Sequence, residues 1–399
     1  MAEASVAFVT PRYGDRVIGG SEAVMREAAH GLAGRGFDVE VLTTCAWSHY
    51  TWANDLPPGP SRDGAVRVRR FPVEHPRSLA AWAQIDVRMS QGERLTPEEE
   101  LRWASGRFRV PALYRHLLGS TYDAVVFSPY LAWTTFACAP VVAERAIVMP
   151  CFHDEPAARL ALFAGLLGGS AAAWFLSEPE RDLAASIGPL GPRPTVTGAG
   201  VAVPERHDPE RFRARYGVTR PFVLYAGRRE LLKGWDRLAE VYRGARAHLD
   251  LDLDLVTFGA NELRHDLRDA PGIIDLGALP AEDVPDAFAA AAVYVQPSRN
   301  ESFSRTVMEA WLAGTPVLAD AGGAVVAWHV RRSQAGMLYG DDHELARALQ
   351  LIGSRPDAAR QMAARGRAYV LESYAWDAVL DRMAASLHDV TRVPLRAPA

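Results

Sequence analysis

Apolar runs and amphipathic stretches alternate along the chain in the rhythm of alternating strands and helices. An apolar run at residues 6–10 is followed by a polar loop, by an amphipathic stretch from Ser21 to Gly34 or Gly36, and by a second apolar run at residues 38–43. We expect the Ser21 hydroxyl to cap this helix and one of the two glycines to end it in the left-handed conformation. Strand, glycine-bearing loop, helix and strand together predict the opening of a doubly wound parallel sheet.

The alternation continues on both sides of a Gly- and Pro-rich stretch at residues 187–209, which is typical of a linker. Before this stretch, the pattern predicts further strands at residues 65–73, 123–128, 145–149 and 172–177. After it, the pattern predicts strands at residues 222–226, 253–258, 273–276, 293–296 and 317–320, helices at about 233–248 and 304–313, and a mainly helical tail over residues 342–390.

The length of the chain favours two domains. Its 399 residues exceed the roughly 250–300 at which single hydrophobic cores stop growing. Because the linker signal lies near residue 200, the sequence predicts an α/β protein of two doubly wound domains, at residues 1–200 and 201–374.

Composition limits the classes of partner. The formal net charge of -4 gives no overall attraction to nucleic acid or to an anionic membrane, so any bound anion needs a local site. The spacings of Cys45, Cys138 and Cys151 suit neither a zinc site nor a disulfide framework, which favours the reducing cytoplasm. No signal-peptide pattern is visible, and the most apolar stretches are shorter than the roughly 20 residues of a membrane span. We therefore expect a cytoplasmic globular protein with no nucleic-acid partner.

Two cations follow the strand predicted at residues 222–226. Gly227 leads into Arg228, and Lys233 stands at the start of the next predicted helix. The carboxyl end of a parallel strand lies in the crevice where such sheets bind ligands, and a helix N-terminus adds unpaired N–H groups for an anion. A guanidinium fork and a compact ammonium suit a diphosphate. The alternative is a solvated loop with ordinary surface charges.

Two carboxylates follow the strand predicted at residues 293–296. Glu301 precedes the next predicted helix and Glu309 lies within it. The first can accept hydrogen bonds from sugar hydroxyls, and the second can accept both hydroxyls of a ribose. Alternatively, Glu301 stabilises the helix dipole and Glu309 is a solvated helical position.

Taken together, these motifs are similar to the donor domain of the retaining GT-B glycosyltransferases of family four. The similarity lies in the Gly-Arg followed by Lys-Gly, in the two glutamates separated by seven residues, and in the Ala-x-x-Ala-Gly-Thr-Pro-Val segment at residues 310–317. The N-terminal half resembles the same family through Gly19-Gly20-Ser21-Glu22 and through residues 36–43. With the helical tail included, the resemblance extends over nearly the whole chain.

The resemblance implies a GT-B fold, in which two Rossmann-like domains face each other across a deep cleft. Residues 1–200 would form the acceptor-side domain, with a C-terminal helix at about residues 375–390 packing back onto it, and residues 201–374 would bind the donor. Arg228 and Lys233 would hold the donor diphosphate, and Glu309 the ribose. Further donor contacts would come from Gly19, Gly20, Glu301, Ser302, Phe303, Ser304 and Arg305.

Within this implied site, Glu301 would bind the hydroxyls of the transferred sugar. Gly19 and Gly20 would let the backbone approach the phosphate and the sugar, where a side chain would block the approach. The alternative for the two glycines is an ordinary flexible turn.

A third segment, His153-Asp154-Glu155, follows the strand predicted at residues 145–149. In the resembled family a histidine of the corresponding loop lies beside the reacting sugar, so the resemblance implies a catalytic role for His153 together with Arg228, Lys233 and Glu301. Asp154 and Glu155 are acceptor-side or orienting candidates. Tyr130 is a further acceptor-side candidate, and a structural role is the alternative for His153 and Tyr130.

The sequence departs from the family at Ser304 and Arg305, where many members carry Gly and Leu. Backbone donors survive this change. Arg305 indicates either a donor sugar that carries a carboxylate or a salt bridge, and we favour the salt bridge.

Cations and apolar residues are interleaved at residues 102–118. They predict either a helix that docks on the inner face of a membrane, giving peripheral contact with a lipid-linked acceptor, or a half-buried helix with snorkelling arginines. We favour the half-buried helix.

The implied reaction transfers a sugar from a nucleotide diphosphate to a hydroxyl of a glycan, a lipid or a small molecule. Positioned cations can stabilise the leaving diphosphate without a metal. The Asp-x-Asp pairs at residues 250–254 lead into a strand and indicate its solvated edge. We therefore expect neither a divalent metal nor a cofactor. The alternatives are a nucleotide-sugar epimerase, a glycan phosphorylase, or an inactive sugar-nucleotide binding module.

Overall fold

The computed structural model describes residues 3–17, 19–76, 78–249, 251–268, 270–354 and 356–391. These residues divide into two α/β units. Unit 1 holds the residues up to Gly200 together with those from Trp376 onward, and unit 2 is Val201–Ala375.

Unit 1 is organised around a mainly parallel sheet. Its strands within the described residues are β1 (Glu3–Val9), β2 (Phe37–Thr44), β3 (Gly59–Asp63), β4 (Val66–Phe71), β5 (Ala124–Phe127), β6 (Ala146–Val148), β7 (Ala172–Phe175) and β8 (Pro194–Val196). They lie in the order β3-β4-β2-β1-β5-β6-β7-β8, and the β3–β4 pair is antiparallel. The helices before the linker are α1 (Gly20–Gly34), α2 (Ala80–Ser90), α3 (Pro97–Ala104), α4 (Pro111–Leu118), α5 (Trp133–Phe136), α6 (Ala161–Gly168) and α7 (Glu178–Ile187).

Unit 2 is organised around a parallel sheet in the order β11-β10-β9-β12-β13-β14, which is the order of a doubly wound nucleotide-binding fold. Over the described residues these strands are β9 (Phe222–Ala226), β10 (Asp254–Phe258), β11 (Ile273–Asp275), β12 (Val293–Gln296), β13 (Val317–Asp320) and β14 (Gly336–Tyr339). The helices are α8 (Pro209–Tyr216), α9 (Trp235–His248), α10 (His265–Arg268), α11 (Val284–Ala290), α12 (Arg305–Leu312), α13 (Ala324–Ser333), α14 (Asp342–Ser354) and α15 (Pro356–Ser373).

The chain ends its described part in α16 (Trp376–Thr391), which packs on unit 1. The Trp376 indole donates to the Glu27 carboxylate at 2.9 Å, and the buried Trp174 indole donates to the Ser386 hydroxyl at 2.9 Å. The Arg382 guanidinium also donates to the Thr197 carbonyl at 2.8 Å. These contacts join α16 to helix, strand and linker segments of unit 1.

Most of the predicted elements are confirmed. The central strands are buried on both faces, as in β1, where Val6 to Val9 are fully buried. Three strands were not predicted: β3, β8 and β14 all lie at the edge of a sheet. An edge strand is paired on one side only, so its sequence needs less of the apolar pattern that identifies a central strand; this applies to β3 and β8, whereas β14 is apolar in sequence.

The prediction that Ser21 caps α1 was wrong. The helix begins one residue before Ser21, its N-cap is Gly19, and the Ser21 hydroxyl donates to the Glu22 carboxylate at 2.8 Å. At the other end Gly36 has a φ of 98°, which confirms a glycine in the left-handed region just after the helix.

Residues 102–118 do not form the single helix that either interpretation assumed. They divide between α3 and α4, and the Trp103 indole is buried and donates to Asp86 at 2.9 Å. The Arg107 guanidinium lies 5.3 Å from the Trp82 ring and donates to the His49 carbonyl at 3.2 Å. Within the described residues, no helix combines the length and the apolar character needed to cross a membrane.

Candidate functional site

The two segments that the sequence singled out in unit 2 leave neighbouring strands. The chain runs from β9 outward to β10 and β11 on one side, and then returns to β12 on the other side of β9. Such a change of direction opens a crevice at the carboxyl ends of the two central strands, which is where ligands bind in open α/β sheets. Arg228 and Lys233 follow β9, whereas Glu301 follows β12.

The loop after β9 turns one arginine inward and the next one outward. Arg229 is buried, donates to the carbonyls of Gly259 at 3.1 Å and Asn261 at 2.5 Å, and pairs with Asp275. It therefore ties the loop after β9 to the ends of β10 and β11. Arg228, in contrast, keeps 46% of its side chain exposed.

Two tight contacts fix the path of this loop. The Tyr225 hydroxyl donates to the Arg228 carbonyl at 2.7 Å. A Cβ added to Gly259 would lie 2.1 Å from the Gly227 carbonyl oxygen, so the loops after β9 and β10 approach more closely than any side chain allows. The backbone that carries Arg228 is held by these neighbours.

Lys233 and Glu301 form an ion pair. The Lys233 Nζ lies 2.7 Å from the Glu301 Oε1 and 3.4 Å from the Asn300 carbonyl, and the two side chains are 22% and 16% exposed. The short turn Leu231–Lys233 ends at Gly234, whose φ is 72°. A Cβ on Gly234 would lie 2.8 Å from the Pro297 carbonyl, so this glycine lets the lysine turn pack against the end of β12.

The pKa values of two buried tyrosines respond to charged residues of these segments. Burial raises the pKa of Tyr225, Glu301 raises it further, and Arg228 lowers it. Burial also raises the pKa of Tyr294, and both Glu301 and Glu309 add to this effect. Glu301 thus influences both tyrosines, and its ion pair with Lys233 is a direct contact between the segment after β9 and the segment after β12.

The Arg228 guanidinium pairs with Glu230 at 3.1 Å, and the Glu230 carboxylate also accepts from the Asn261 side chain at 3.3 Å. Both partners are partly exposed. An exposed ion pair of this kind is worth about 0–1 kcal/mol, so an anionic ligand can compete for Arg228.

Ser304 occupies a backbone conformation that favours glycine. It is the N-cap of α12 with a φ of 71°, and its buried hydroxyl accepts from the Gln296 amide at 2.8 Å. This explains the Gly of the resembled family, since only glycine adopts this region without strain. The hydrogen bond from Gln296 gives the serine a compensating interaction.

The rest of the donor segment surrounds the start of α12. Phe303 is buried edge-on against Tyr374, with ring centroids 4.9 Å apart. Ser302, Arg305 and Glu309 are half-buried, and Arg305 is the first residue of the helix. The salt bridge that we favoured for Arg305 stays a prediction.

In unit 1, Gly19 lies against an ion pair. The Arg12 guanidinium lies 2.5 Å from the Glu22 carboxylate, and the two side chains are 8% and 10% exposed. A Cβ on Gly19 would lie 2.2 Å from the Glu22 Oε2, whereas a Cβ on Gly20 would meet nothing within 4 Å. The ion pair thus crowds Gly19, and the approach of a ligand to Gly19 and Gly20 stays a prediction.

The loop after β6 brings His153 and Glu155 together with Tyr130, which follows β5. The buried Tyr130 hydroxyl donates to the Glu155 Oε1 at 2.7 Å, and the His153 Nδ1 lies 3.8 Å from the same oxygen. Burial, reinforced by Glu155, raises the pKa of Tyr130 well above its usual range. Asp154 is 68% exposed and pairs with Arg159 at 2.5 Å, so its carboxylate is engaged away from the other three.

Glu180 and Arg12 were missed by the sequence reasoning. Glu180 follows Ser177 by three residues, a spacing that indicates a helix cap, and the Ser177 hydroxyl does accept from the Glu180 N–H at 3.2 Å. The buried Glu180 carboxylate also accepts from the backbone of Phe152, far away in sequence. A helix-cap pattern carries no signal for that contact.

A further signal lay in the sequence itself. Lys233 is the only lysine of the chain, although Lys and Arg together number 44. This lysine lies beside Glu301, so the one compact ammonium side chain in an arginine-rich sequence is at the candidate site.

No group of three or more His, Cys, Asp or Glu side chains that could hold a metal occurs in the described part of the chain. Of the acidic residues around the start of β10, Asp252 is 85% exposed, as expected for a solvated edge. Asp254 is buried and pairs with Arg246 at 3.2 Å, so for this residue the expectation of a solvated edge was wrong.

Comparison with protein families gives a match in unit 2. Residues 220–354 match the family model described as glycosyl transferases group 1. The D-inositol 3-phosphate glycosyltransferase 1 of Catenulispora acidiphila is 28% identical over 401 residues, covering 92% of this chain and 90% of that protein. The D-inositol 3-phosphate glycosyltransferase of Streptomyces scabiei is 39% identical over 122 residues, which cover 29% of this chain and 27% of that protein.

Solved structures are similar over nearly the full length. Sucrose-phosphate synthase from Thermosynechococcus elongatus superposes with a TM-score of 0.72 at 18% identity, covering 97% of this chain and 99% of that chain. HepE of Anabaena, in complex with UDP and glucose, superposes with a TM-score of 0.67 at 15% identity, covering 97% and 100%. At these sequence identities, the similarity of the structures shows a shared fold and nothing more.

Proposed function

We propose that this chain, which is a glycosyltransferase with the GT-B fold, transfers a sugar from a nucleotide diphosphate carrier to a hydroxyl group of an acceptor with retention of the anomeric configuration. The observation that carries the proposal is the ion pair of Lys233 with Glu301, which joins the segment after β9, where Arg228 lies, to the segment after β12, which leads to Glu309. A pyrophosphate-linked sugar needs cations for its phosphates and carboxylates for its hydroxyls, and unit 2 offers both at one place.

Arg228 and Lys233 supply the cations for the diphosphate. The partly exposed pair of Arg228 with Glu230 leaves its guanidinium accessible to phosphate oxygens. Lys233 is held beside the crevice by Glu301 and the Asn300 carbonyl. Because the ammonium has three donors, it can keep the Glu301 contact and still donate to a phosphate oxygen.

Glu301 and Glu309 supply the carboxylates. Glu301 follows β12 with 84% of its side chain withdrawn from solvent, and its second oxygen can accept from a hydroxyl of the donor sugar. Glu309 lies one turn into α12, and we assign it to the two hydroxyls of the ribose. Ser302, Phe303, Ser304 and Arg305 lie between these two carboxylates in the chain, and we assign them to further contacts with the donor.

The reaction breaks the bond between the anomeric carbon and a diphosphate oxygen and forms a bond from the acceptor oxygen to that carbon. The acceptor hydroxyl attacks from the face of the leaving group, and the departing phosphate takes its proton. Arg228 and Lys233 stabilise the negative charge on the leaving oxygen, because fixed charges need no reorganisation as the bond breaks. We propose that this stabilisation proceeds without a divalent metal.

His153, Glu155 and Tyr130 are assigned to the acceptor side. The His153 imidazole lies near the Glu155 carboxylate, which Tyr130 holds by a hydrogen bond, so the histidine has an orienting partner. Two relatives are named for D-inositol 3-phosphate, which makes a phosphorylated polyol the first acceptor to test. We place the protein in the cytoplasm, where its three free cysteines remain reduced. Peripheral contact with a membrane is left to a vesicle-binding measurement.

Two measurements in sequence test the proposal. Melting temperatures are recorded with UDP, GDP, ADP and TDP and their glucose conjugates, since a ligand that binds the folded state raises the melting temperature. We expect a UDP compound to give a clear shift, because a structural neighbour was solved with UDP and glucose. Arg228→Ala should reduce the shift, whereas Arg243→Ala should not. Both arginines are 46% exposed and paired with a carboxylate, but Arg243 lies on α9 and pairs with Asp266.

The stabilising donor is then incubated with inositol phosphate, with inorganic phosphate, and alone. Glycosylated inositol phosphate is the expected product. An altered sugar formed from the donor alone indicates an epimerase, and a sugar phosphate formed with inorganic phosphate indicates a phosphorylase. Binding without turnover under every condition, or no shift with any nucleotide, would refute the proposed activity.

A further inference from the structure

Glu180 is a buried carboxylate whose hydrogen bonds join the ends of two neighbouring strands in unit 1. It lies in the first turn of α7 and is 1% exposed. Its Oε1 accepts from the Phe152 N–H at 2.7 Å and its Oε2 accepts from the Leu176 N–H at 2.6 Å. Phe152 belongs to the loop after β6 and Leu176 directly follows β7, so one side chain spans both strand ends.

The environment of Glu180 is set by backbone donors. Burial raises the pKa of the Glu180 carboxyl, while hydrogen bonds from the backbone of Leu176, Phe152, Ser177 and Cys151 oppose this rise because they favour the ionised carboxylate. A buried carboxyl group is costly unless its oxygens are satisfied by donors. The donors here come from two loops rather than from one helix turn, so the group does more than cap α7.

The turn that Glu180 holds carries the acceptor-side residues. Cys151 has a φ of 57°, in the left-handed region that a non-glycine residue rarely adopts, and the Phe152 N–H that follows it is bound by Glu180. The Phe152 ring packs on the Tyr130 ring, with centroids 4.4 Å apart. His153 and Glu155 come next in the chain, so their position depends on this turn.

We propose that Glu180 is a positioning residue for sugar transfer: by holding the turn at Cys151 and Phe152, it places His153 and Glu155 against the substrate. The inference rests on the proposed function, because it assumes that His153 serves the transfer reaction. Glu180 itself is buried and acts through the loop.

The test compares Glu180→Gln with Asp182→Asn. Both replace a carboxylate by an amide on α7, but Asp182 is 67% exposed and pairs with its neighbour Arg181. In Glu180→Gln one oxygen becomes an NH₂ group that faces a backbone N–H, so one of the two short hydrogen bonds is lost and replaced by a repulsive contact. Asp182→Asn leaves the loop untouched.

Three readouts separate positioning from general stability. Glu180→Gln should lower kcat by at least about tenfold, with the KM for the nucleotide sugar and the affinity for UDP within about twofold of wild type. Hydrogen exchange should become faster in the peptide that spans residues 150–156 and stay unchanged in unit 2. Asp182→Asn should behave as wild type in all three measurements.

A double-mutant cycle with His153→Ala tests the route of action. If Glu180 acts through His153, then Glu180→Gln in the His153→Ala background should lower kcat by less than about twofold further. A full additional tenfold loss in that background would show independent, general destabilisation and overturn the proposal. A kcat within twofold of wild type in Glu180→Gln alone would also overturn it.

Two arrangements keep the test decisive. If Glu180→Gln does not fold, Glu180→Asp retains the carboxylate on a shorter stem and should show the same faster exchange at residues 150–156. If the wild-type protein transfers no sugar, the proposed function fails. The hydrogen-exchange measurement still shows whether Glu180 fixes the turn at Cys151 and Phe152. Unchanged hydrogen exchange at residues 150–156 in Glu180→Gln would refute this role of Glu180, whatever the activity of the protein.

Discussion

The positive charge of Lys233 can be removed by chemical modification, without a mutation. Because it is the only lysine in the sequence, an amine-specific acetylating reagent modifies its side chain and the N-terminal amine, and no other primary amine of the chain. Acetylation removes the positive charge beside Glu301 and keeps the length of the side chain. Lys233→Ala removes the charge and the side chain together.

The magnitude follows from the geometry of the pair. The Nζ and the Glu301 Oε1 are 2.7 Å apart and mostly withdrawn from solvent, so the contact is a charge-assisted hydrogen bond. Such bonds contribute about 1.5–3 kcal/mol, and a similar bond from Lys233 to the leaving phosphate would be lost from the transition state. A loss of that size lowers turnover by about 10- to 150-fold.

The assay follows turnover of the nucleotide sugar and binding of UDP by calorimetry. Acetylation of the wild-type protein should lower turnover within this range, and UDP present during the reaction should protect the side chain. The same treatment of Lys233→Ala is the control, since there only the N-terminal amine can react. Its residual turnover should not change.

Two results would refute the reasoning. One is full turnover after Lys233 is shown by mass spectrometry to be acetylated. The other is a Lys233→Ala protein that binds UDP and turns over donor within about twofold of wild type. Either would mean that the ammonium pairs with Glu301 for structural reasons alone.

Three further outcomes are expected. Glu301→Gln should lower turnover by at least about tenfold. UDP should bind as tightly as to wild type or more tightly, because Lys233 loses the carboxylate that competes for it. Weaker UDP binding in calorimetry would contradict this. Gly259→Ala should lower the free energy of unfolding by more than Gly217→Ala. Both glycines have positive φ, but of the two only Gly259 has backbone in the way of a Cβ, 2.1 Å from it. Equal losses of unfolding free energy in urea denaturation would show that this close contact does not matter. Although burial opposes it, hydrogen bonds from partners including His30 lower the pKa of Asp63 to about 2, so the stability that this carboxylate contributes is present above pH 4 and is lost as the pH falls from about 4 to 2. The gap in unfolding free energy between wild type and Asp63→Asn should therefore shrink over that interval, and a constant gap would contradict the assignment.

The order of elements and the strand-end motifs could be predicted from the sequence. Strands β9, β12 and β13 begin and end where the apolar runs predicted, because central parallel strands are buried on both faces and leave uninterrupted apolar runs. The edge strands β3 and β8 left no such run, whereas β14 has the apolar sequence Gly-Met-Leu-Tyr and was still not predicted. The helix-start prediction at Ser21 failed as well: α1 begins one residue earlier with Gly19 as N-cap, and the Ser21 hydroxyl bonds to Glu22, whose carboxylate pairs with the remote Arg12.

The candidate site was predicted in its residue types and not in its connections. Nothing local distinguishes Arg228 from Arg229, yet one is exposed and the other is buried against the loops after β10 and β11. Asp154 and Glu155 are equally local neighbours of His153, yet only Glu155 lies beside it. These choices depend on contacts with segments that are remote in the chain.

The sequence by itself determined that two runs of strand–helix units occur, that charged segments follow particular strands, and that a single lysine stands among them. Such features depend on near neighbours and on burial, which apolar periodicity records directly. Only the tertiary structure decided that Lys233 meets Glu301 across 68 residues of chain and that Glu180 binds the backbone of Phe152. The physical reason is that packing of the whole unit fixes the order of strands in a sheet. Strand ends that are far apart in the chain therefore become neighbours, and the local sequence of one does not reveal the other.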